Sequence, residues 1–577
     1  MERTAVLGTQ PVIPTRFAFG FALVAALAYV VATGHVWEDY LITFRHSQNL
    51  AEGRGLVFQP GERVHGFTSP LGVLLPAGFH LALGNPESLL PALWCFRIAG
   101  AFAFALGIAL AIRSLMRTGA TGWAFAAAFV LVMEIKGVSF AVNGQETGFM
   151  ILFLGWSMDL LSKPGPVRWK SLALAWAGLQ WTRPDGFVMG GAWAIARLLF
   201  AEHSQRREIL IAYLKAAALS LVLYSPWLIF TMGYYGTPVP HTVVAKSAVI
   251  ERPTDFNGWW NRFVDRIAWI LQPTCFFFGG WPPWTARFAR AIGFAGLILW
   301  MIPGRGETLQ LARRSSFAYL LLIGYFCLIP LSAWYIPPAA LLLLLALSAA
   351  LVARPIPTLA IALLGYVASV LVEESRWRIG HSVQNTLLIC GPLLLCAAWK
   401  APSWIPRGVG FAGLAAFLSA LFGMSTLQLR HQQEIVENGC RTEVGRWLRE
   451  HVGKDETVFL ECLGYIGYHS NCRMLDFPGL ASPRVAEAHR DRRWPSELKP
   501  TQRMVALIPD LKPDWLVLRP HEIATAERLK AIDGYREVHR VDVGQVIDGR
   551  CANLPGVGYL RVDCCFVVFK RVGRGDS

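Results

Sequence analysis

Apolar residues in this 577-residue chain gather into long runs over its first three quarters. The runs lie near 17–36, 70–84, 88–112, 121–141, 147–162, 170–183, 186–201, 209–231, 287–303, 316–334, 336–353, 355–372, 382–399 and 408–428. Residues 429–577 mix apolar and polar positions as a soluble domain does. About 20 apolar residues cross a bilayer core as a helix, so residues 1–428 read as a membrane bundle. Phe17–Gly34 follows Arg3 and Arg16 and lacks a small-residue cleavage site, which predicts an uncleaved first span. Segment 70–84 starts at Pro70 and carries Pro76, and a re-entrant piece is expected there. With that segment not crossing, the pattern predicts about 13 spans.

Lys and Arg in short loops mark the cytoplasmic side of a membrane protein. The groups Arg3/Arg16, Arg113/Arg117, Lys163/Arg168/Lys170, Arg197/Arg206/Arg207, Arg305/Arg313/Arg314, Arg354 and Lys400/Arg407 alternate along the chain on that basis. The N-terminus is then cytoplasmic and the C-terminal domain external. Residues 37–69, 142–147, 183–185, 232–286, 373–381 and 429–577 all fall on the outer face, which predicts one outward-facing site. Apolar residues make up 54% and charged residues 16%, against about 45–50% and about 25% in soluble domains. Of the net charge of +15, +13 belongs to residues 1–428 and +2 to the rest. The basic excess is that of cytoplasmic loops, and no basic patch interleaved with aromatics points to nucleic acid.

The first outer loop carries the densest chemistry: WEDYLITFRHSQNLAEGRGLVFQPGERVHGFTSP, from Trp37 to Pro70. Acids at a membrane edge are costly and are functional candidates. Glu38 and Asp39 can equally be solvated there, or cap a helix beginning near Tyr40. The loop resembles that of the bacterial polyprenyl-phosphate-dependent glycosyltransferases of the GT-C fold, in particular the mycobacterial terminal arabinofuranosyltransferase type. The resemblance rests on the two acids, Ile42–Arg45, Asn49–Ala51, Gly53, Gly55, Pro60–Glu62 and Gly66–Thr68. Two positions depart from the pattern, Glu38 where Asp is commoner and His65 where Glu is usual. Further along, NGQET (Asn143–Thr147), RPDG (Arg183–Gly186), YYGTPVPHTVVAK (Tyr234–Lys246) and WYIPP (Trp334–Pro338) are similar to family motifs. So is ECLGYIGYHSNCRMLD (Glu461–Asp476) followed by Pro478-Gly479-Leu480.

The resemblance implies a polytopic α-helical membrane protein with a GT-C-like catalytic domain over 1–428 and an external α/β domain over 429–577. It implies transfer of a sugar, arabinofuranose in the nearest relatives, from a polyprenyl phosphate to a cell-envelope glycan or glycolipid. The place implied is the outer face of a bacterial inner membrane, and the expected stereochemistry is inverting. Such transfer needs a carboxylate to take the acceptor proton and cations to meet the charge on the departing phosphate. Asp39 suits the general base, with Glu38 orienting it or sharing a divalent cation with it. Arg45, Arg183, His241 and Lys246 are the candidate phosphate ligands, and Glu146, Tyr235 and Tyr335 the candidate substrate contacts.

Structural alternatives stay open for each. Arg45 can pair with the adjacent acids, Arg183 with Asp185, and Glu146 can serve a helix N-terminus. His241 and Lys246 can form a solvated helix face, and Arg97, inside a span, can be a core partner or a phosphate ligand. A lipid-linked sugar transporter without transferase chemistry is the main competing reading; it predicts inverted repeats, and none is seen.

In residues 429–577 the pattern predicts a helix over Glu443–Glu450 and strands over Thr457–Glu461, Arg473–Asp476, Trp515–Leu518 and Cys565–Lys570. Six of the 11 cysteines lie here. In an external domain some are expected as disulfides, Cys462 with Cys472 and Cys551 with Cys564 or Cys565.

Overall fold

The computed structural model describes residues 12–163, 165–248, 252–274, 280–376, 407–490, 494 and 498–572. The expected span at 382–399 lies outside the described residues, as does most of the charged loop 373–381. Six described helices are long and apolar enough to cross a membrane: Ile13–Thr33, Leu90–Met116, His203–Tyr235, Glu307–Leu328, Ala333–Ala353 and Ala412–His451. Pro70–Ala82, Thr147–Leu161, Gly186–Leu199 and Pro355–Val370 are shorter apolar helices. The protein is a multi-pass membrane protein with a small sheet domain at its C-terminal end.

Segment 121–141, expected as one span, is broken into Thr121–Val132 and Ile135–Val142, bent by 62°. The break has a chemical cause. Glu134 accepts from the backbone N–H groups of Lys136 and Gly137 and so caps a new helix. Its carboxylate also pairs with the fully buried Lys136 ammonium at 2.9 Å. Near the C-terminal end of the helix Leu90–Met116, Asp159 binds Arg113, Arg117 and Lys163, bringing together residues expected on the cytoplasmic side.

Four helices open the chain: α1 (Val12–Thr33), α2 (Glu38–Ala51), α3 (Pro70–Ala82) and α4 (Leu90–Met116). The short α2 puts Glu38 and Asp39 in its first turn, where the helix dipole favours acids. The loop after it is built by its own side chains. Asn49 donates to the carbonyls of Val57 and Phe58, and Gln59 brackets the backbone of Met474 through both its amide atoms. Arg97 of α4 donates to the carbonyls of Gly34, His35 and Val142. It joins two segments of backbone with no carboxylate involved, which makes it a core partner.

The C-terminal sheet contains β1 (Thr457–Leu460), β2 (Arg473–Asp476), β3 (Trp515–Leu518), β4 (Tyr535–Asp542) and β5 (Cys565–Arg571), in the order β2-β1-β3-β5-β4. The pairs β1–β2 and β1–β3 are parallel, and β5 is antiparallel to both β3 and β4. Alternate residues split the sheet into two buried faces. Val458, Leu460 and Val517 face a core shared with Ile42 and Phe58 of the first loop, while Phe459, Leu516 and Leu518 face the other side. The sheet is thereby packed onto α2 and the loop after it. The strand β4, whose residues alternate only weakly between exposed and half-buried, carries no clear periodic signal.

The expected disulfides are absent. Cys440, Cys462, Cys472, Cys551, Cys564 and Cys565 are free thiols. Cys462 follows the C-terminal end of β1, and Cys472 precedes the N-terminal end of β2. Because these strands are parallel, the two thiols lie at opposite ends of the sheet, so nearness in sequence misleads. Cys551 and Cys564 pack against one apolar cluster with Ile435, Val436 and Ile547, yet both are free thiols.

Candidate active site

Five of the nine site residues expected from the sequence line one cavity of about 310 Å³: Asp39, Glu146, Arg183, Lys246 and Tyr335. Each comes from a different segment. Asp39 stands on the first turn of α2, Glu146 and Arg183 on turns between short helices, Lys246 on the helix His241–Ala248, and Tyr335 before the helix Ile336–Ala353. Gly144 makes one of these turns possible. Its φ is +98°, and a Cβ there would sit 2.4 Å from the Tyr40 ring. Leu480, reaching in from the sheet domain, completes the wall. The turn that carries it is held by the buried Asp476, which accepts from the N–H groups of Leu480 at 2.5 Å and Ala481 at 2.9 Å. Burial pushes the Asp476 carboxyl up to about 6.

Arg183 and Lys246 are the cations among the described residues of this lining. Arg183 is buried, and its Nε has no hydrogen-bond partner among the described residues. It pairs with Glu146 at 2.7 Å and Asp185 at 3.5 Å, donates to the Tyr335 hydroxyl, and lies over the Tyr335 ring at 4.1 Å. Tyr325 in turn donates to Asp185 at 2.7 Å. Lys246 is half-exposed, pairs with Asp39 at 3.2 Å, and sits 5.5 Å from the Trp334 ring centroid. The mouth of the cavity is apolar. Phe187, Val239 and Val243 line it and are 57%, 47% and 42% exposed, an exposure suited to lipid rather than water.

The Asp39–Lys246 pair also borders a second cavity of about 310 Å³ between the bundle and the sheet domain. Here Arg441 joins Glu38 at 3.0 Å, Glu437 at 2.9 Å and Asp563 at 2.5 Å, and Arg519 joins Asp563 at 3.0 Å and Glu461 at 2.9 Å. Burial pushes the Glu38 carboxyl up to about 8, against the pull of Arg441 and helped by the nearby acids. Adjacent in sequence, Glu38 and Asp39 thus take different partners. Among the described residues, no group of three or more His, Cys, Asp and Glu is placed to hold a metal ion. Gly464 allows the two parts to meet, since a Cβ on it would lie 2.4 Å from the Glu38 carbonyl oxygen. Arg441, Glu437, Arg519 and Asp563 were not singled out from sequence. Of the charged residues at this junction, Glu38, Asp39, Lys246 and Glu461 belong to matched motifs; the four not singled out are brought in by the tertiary packing of the sheet domain.

Three expected residues line neither of these two cavities. His241 begins the helix that carries Lys246, and its Nδ1 accepts from the His65 N–H at 3.0 Å. Tyr235 donates to the Leu56 carbonyl at 2.6 Å and stacks on His65. Arg45 points away from Asp39, donating to Asn471 Oδ1 at 2.9 Å and to the Tyr468 carbonyl at 2.5 Å.

Residues 427–558 match a family described as a domain of unknown function (DUF8728). The chain is 30% identical over 230 residues to a terminal β-(1→2)-arabinofuranosyltransferase of Mycobacterium tuberculosis, 37% of this chain and 35% of that protein. It is 31% identical over 265 residues to the Corynebacterium glutamicum protein of the same name, 39% of this chain and 36% of the relative. These matches span about a third of the length of either relative. Among solved structures, ArnT from Cupriavidus metallidurans bound to undecaprenyl phosphate superposes over 97% of this chain and 98% of its own, with a TM-score of 0.51 and 12% identity. The resemblance read from the loop motifs is borne out, and the chain has a GT-C-like architecture, a helical membrane bundle with a small sheet-containing C-terminal domain.

Proposed function

We propose that this protein is a membrane glycosyltransferase that moves a sugar, arabinofuranose by likeness to its curated relatives, from a polyprenyl phosphate to a hydroxyl of a cell-envelope glycan or glycolipid. The observation that carries this reading is the position of Asp39. Its carboxylate stands where an apolar-mouthed cavity meets a polar one, and its ion-pair partner is Lys246. The first cavity suits the donor, with the prenyl chain leaving past Phe187, Val239 and Val243. The second suits the acceptor, since carboxylates and arginines supply both acceptors and donors to sugar hydroxyls.

In this reading the acceptor hydroxyl gives its proton to Asp39 as its oxygen attacks the anomeric carbon. The bond from that carbon to the phosphate oxygen breaks on the opposite face, and its electron pair leaves with the polyprenyl phosphate, inverting the centre. Protonation of Asp39 removes the carboxylate partner of Lys246 just as negative charge grows on the phosphate, so the ammonium is released to meet it. Arg183 is held by two carboxylates, and its role is to shape the wall and supply a fixed positive end. The motif likeness supports an outward-facing site, with the N-terminus cytoplasmic and the sheet domain external.

The test is transfer from radiolabelled polyprenyl-phosphate sugars by purified wild type and Asp39→Asn. General-base loss is expected to lower kcat about 10²–10⁴-fold with the melting temperature little changed. Undiminished transfer by Asp39→Asn would remove the mechanism. Donor binding with no transfer by the wild type would favour a lipid-linked sugar transporter. Repeating the assay with a chelator tests whether Glu38 and Asp39 use a divalent cation.

A further inference from the structure

A third cavity, about 840 Å³, lies on the far side of α2 from the catalytic carboxylate. The helix presents Asp39, Ile42 and Thr43 to the first cavity and Leu41, Arg45, Gln48 and Glu52 to this one. Positions 41, 45, 48 and 52 form one helical stripe, and 39 and 43 point roughly the other way. The two spaces are therefore separated by a helix diameter of about 10–12 Å.

The third cavity is also sealed from the acidic junction near Glu38. The Val36 N–H donates to Gln433 Oε1 at 2.8 Å, and the Tyr465 hydroxyl donates to the Val36 carbonyl at 3.0 Å. These bonds close the wall where the spaces would otherwise join.

Its lining is that of a sugar site. Gln48, Asn85, Gln433, Asn438 and Asn471 contribute five amides. Gln433 is held by Val36, Tyr465 and Asn438, and Asn471 Oδ1 by Arg45, while the Asn438 and Asn471 amide N–H groups and the Asn85 amide can meet vicinal hydroxyls. Arg45, Arg446 and Arg449 add planar donors, and Tyr465 and Tyr468 add rings. Arg446 is paired with Glu443, whereas Arg449 has no ion-pair partner among the described residues. Glu52 and Glu87 share the lining; they disfavour a phosphate headgroup and accept from hydroxyls.

We infer that this cavity is a second, non-catalytic carbohydrate site, holding a stretch or branch of the acceptor glycan remote from the reacting hydroxyl. The inference rests on the proposed glycosyltransferase reading for its ligand class. A distant segment held here raises the effective concentration of the reacting end at Asp39. The benefit falls to long or branched acceptors and not to short ones, which cannot reach both places.

The test uses the full-length protein in nanodiscs, with an arabinofuranosyl disaccharide and a long linear arabino-oligosaccharide as probes. Arg449→Ala and Asn471→Gly, the latter keeping a left-handed backbone at φ 56°, are each expected to raise KM for the long acceptor about tenfold. The kcat for both acceptors and the KM for the disaccharide are expected to stay as in the wild type. Saturation-transfer NMR on Asp39→Asn is expected to show the long oligosaccharide bound, and to lose that signal when Arg449→Ala is added. Equal KM increases for both acceptors, or NMR binding indifferent to Arg449→Ala and Asn471→Gly, overturn the inference. So does displacement of the oligosaccharide by anionic phospholipid vesicles, which would mark a headgroup site. NMR binding of this kind without any transfer would instead count against the glycosyltransferase reading and leave the carbohydrate site standing.

Discussion

The two cavities that meet at Asp39 and Lys246 are alike in size and unlike in electrostatic construction. On the membrane side the charges are few and paired off, Arg183 with Glu146 and Asp185, Lys246 with Asp39, and the mouth is apolar. At the junction with the sheet domain, Glu38, Glu437, Glu461 and Asp563 surround Arg441 and Arg519, so carboxylates outnumber guanidiniums. Carboxylates outnumber cations in both linings, and the clearer difference is the apolar mouth of the first, which in the proposed reading suits a lipid-borne donor, while the second suits a neutral polyhydroxyl chain. In the proposed reading, the contrast gives donor and acceptor separate entrances to Asp39.

The largest effect on this contrast is expected from Arg441→Ala. The change leaves Glu38, Glu437 and Asp563 without their shared cation, and breaking a buried pair costs about 3–5 kcal/mol. The loss would show as a marked fall in thermal stability in detergent; an unchanged melting curve would mean that the junction is wet and loosely held. Lys246→Met acts on the other side. It is expected to reduce kcat/KM for the lipid donor about 10–100-fold, roughly the worth of a charge-assisted contact of about 1.5–3 kcal/mol, with partial recovery in Lys246→Arg. An equal loss of affinity for donor and acceptor would blur the assignment of the two cavities.

Smaller changes probe the seam itself. Gly464→Ala places a methyl against the Glu38 carbonyl and is expected to cost about 1–3 kcal/mol through overpacking, read from the same melting curves. Glu38 offers a pH test. Its carboxyl titrates near 8 in the folded protein against 4.5 for the free group, so the folded state holds the proton more tightly. Its contribution to stability is full below about pH 4.5 and is lost as pH rises through 8. Glu38→Gln should therefore flatten the decline in melting temperature between those values. An unaltered slope would move the titrating group elsewhere.

The motifs were informative about the wall of the first cavity to the extent that each belonged to a turn. NGQET, RPDG and WYIPP delivered Glu146, Arg183 and Tyr335 to the cavity because a tight turn at a helix end leaves a side chain little choice of direction. Within α2 and the YYG segment the same reading was less discriminating. Asp39 and Arg45 belong to one matched stretch, yet six residues of helix turn them to different cavities. Tyr235 and His241 support the loop's backbone, a role that sequence likeness does not distinguish from substrate contact.

Sequence alone determined the membrane bundle and four of the five described strands, and it put Asp39 forward as the leading carboxylate. These follow from local periodicity and from short motifs whose residues act close to where they lie in the chain. Only the tertiary structure decided that Glu38 and Asp39 part company, that the six cysteines of residues 429–577 stay unpaired, and that Arg441, Arg519 and Asp563 stand beside α2. Those outcomes depend on how β1 and β2 run relative to each other and on how the sheet docks onto α2. Such contacts join residues hundreds of positions apart, and no local pattern of hydrophobic and polar residues encodes them.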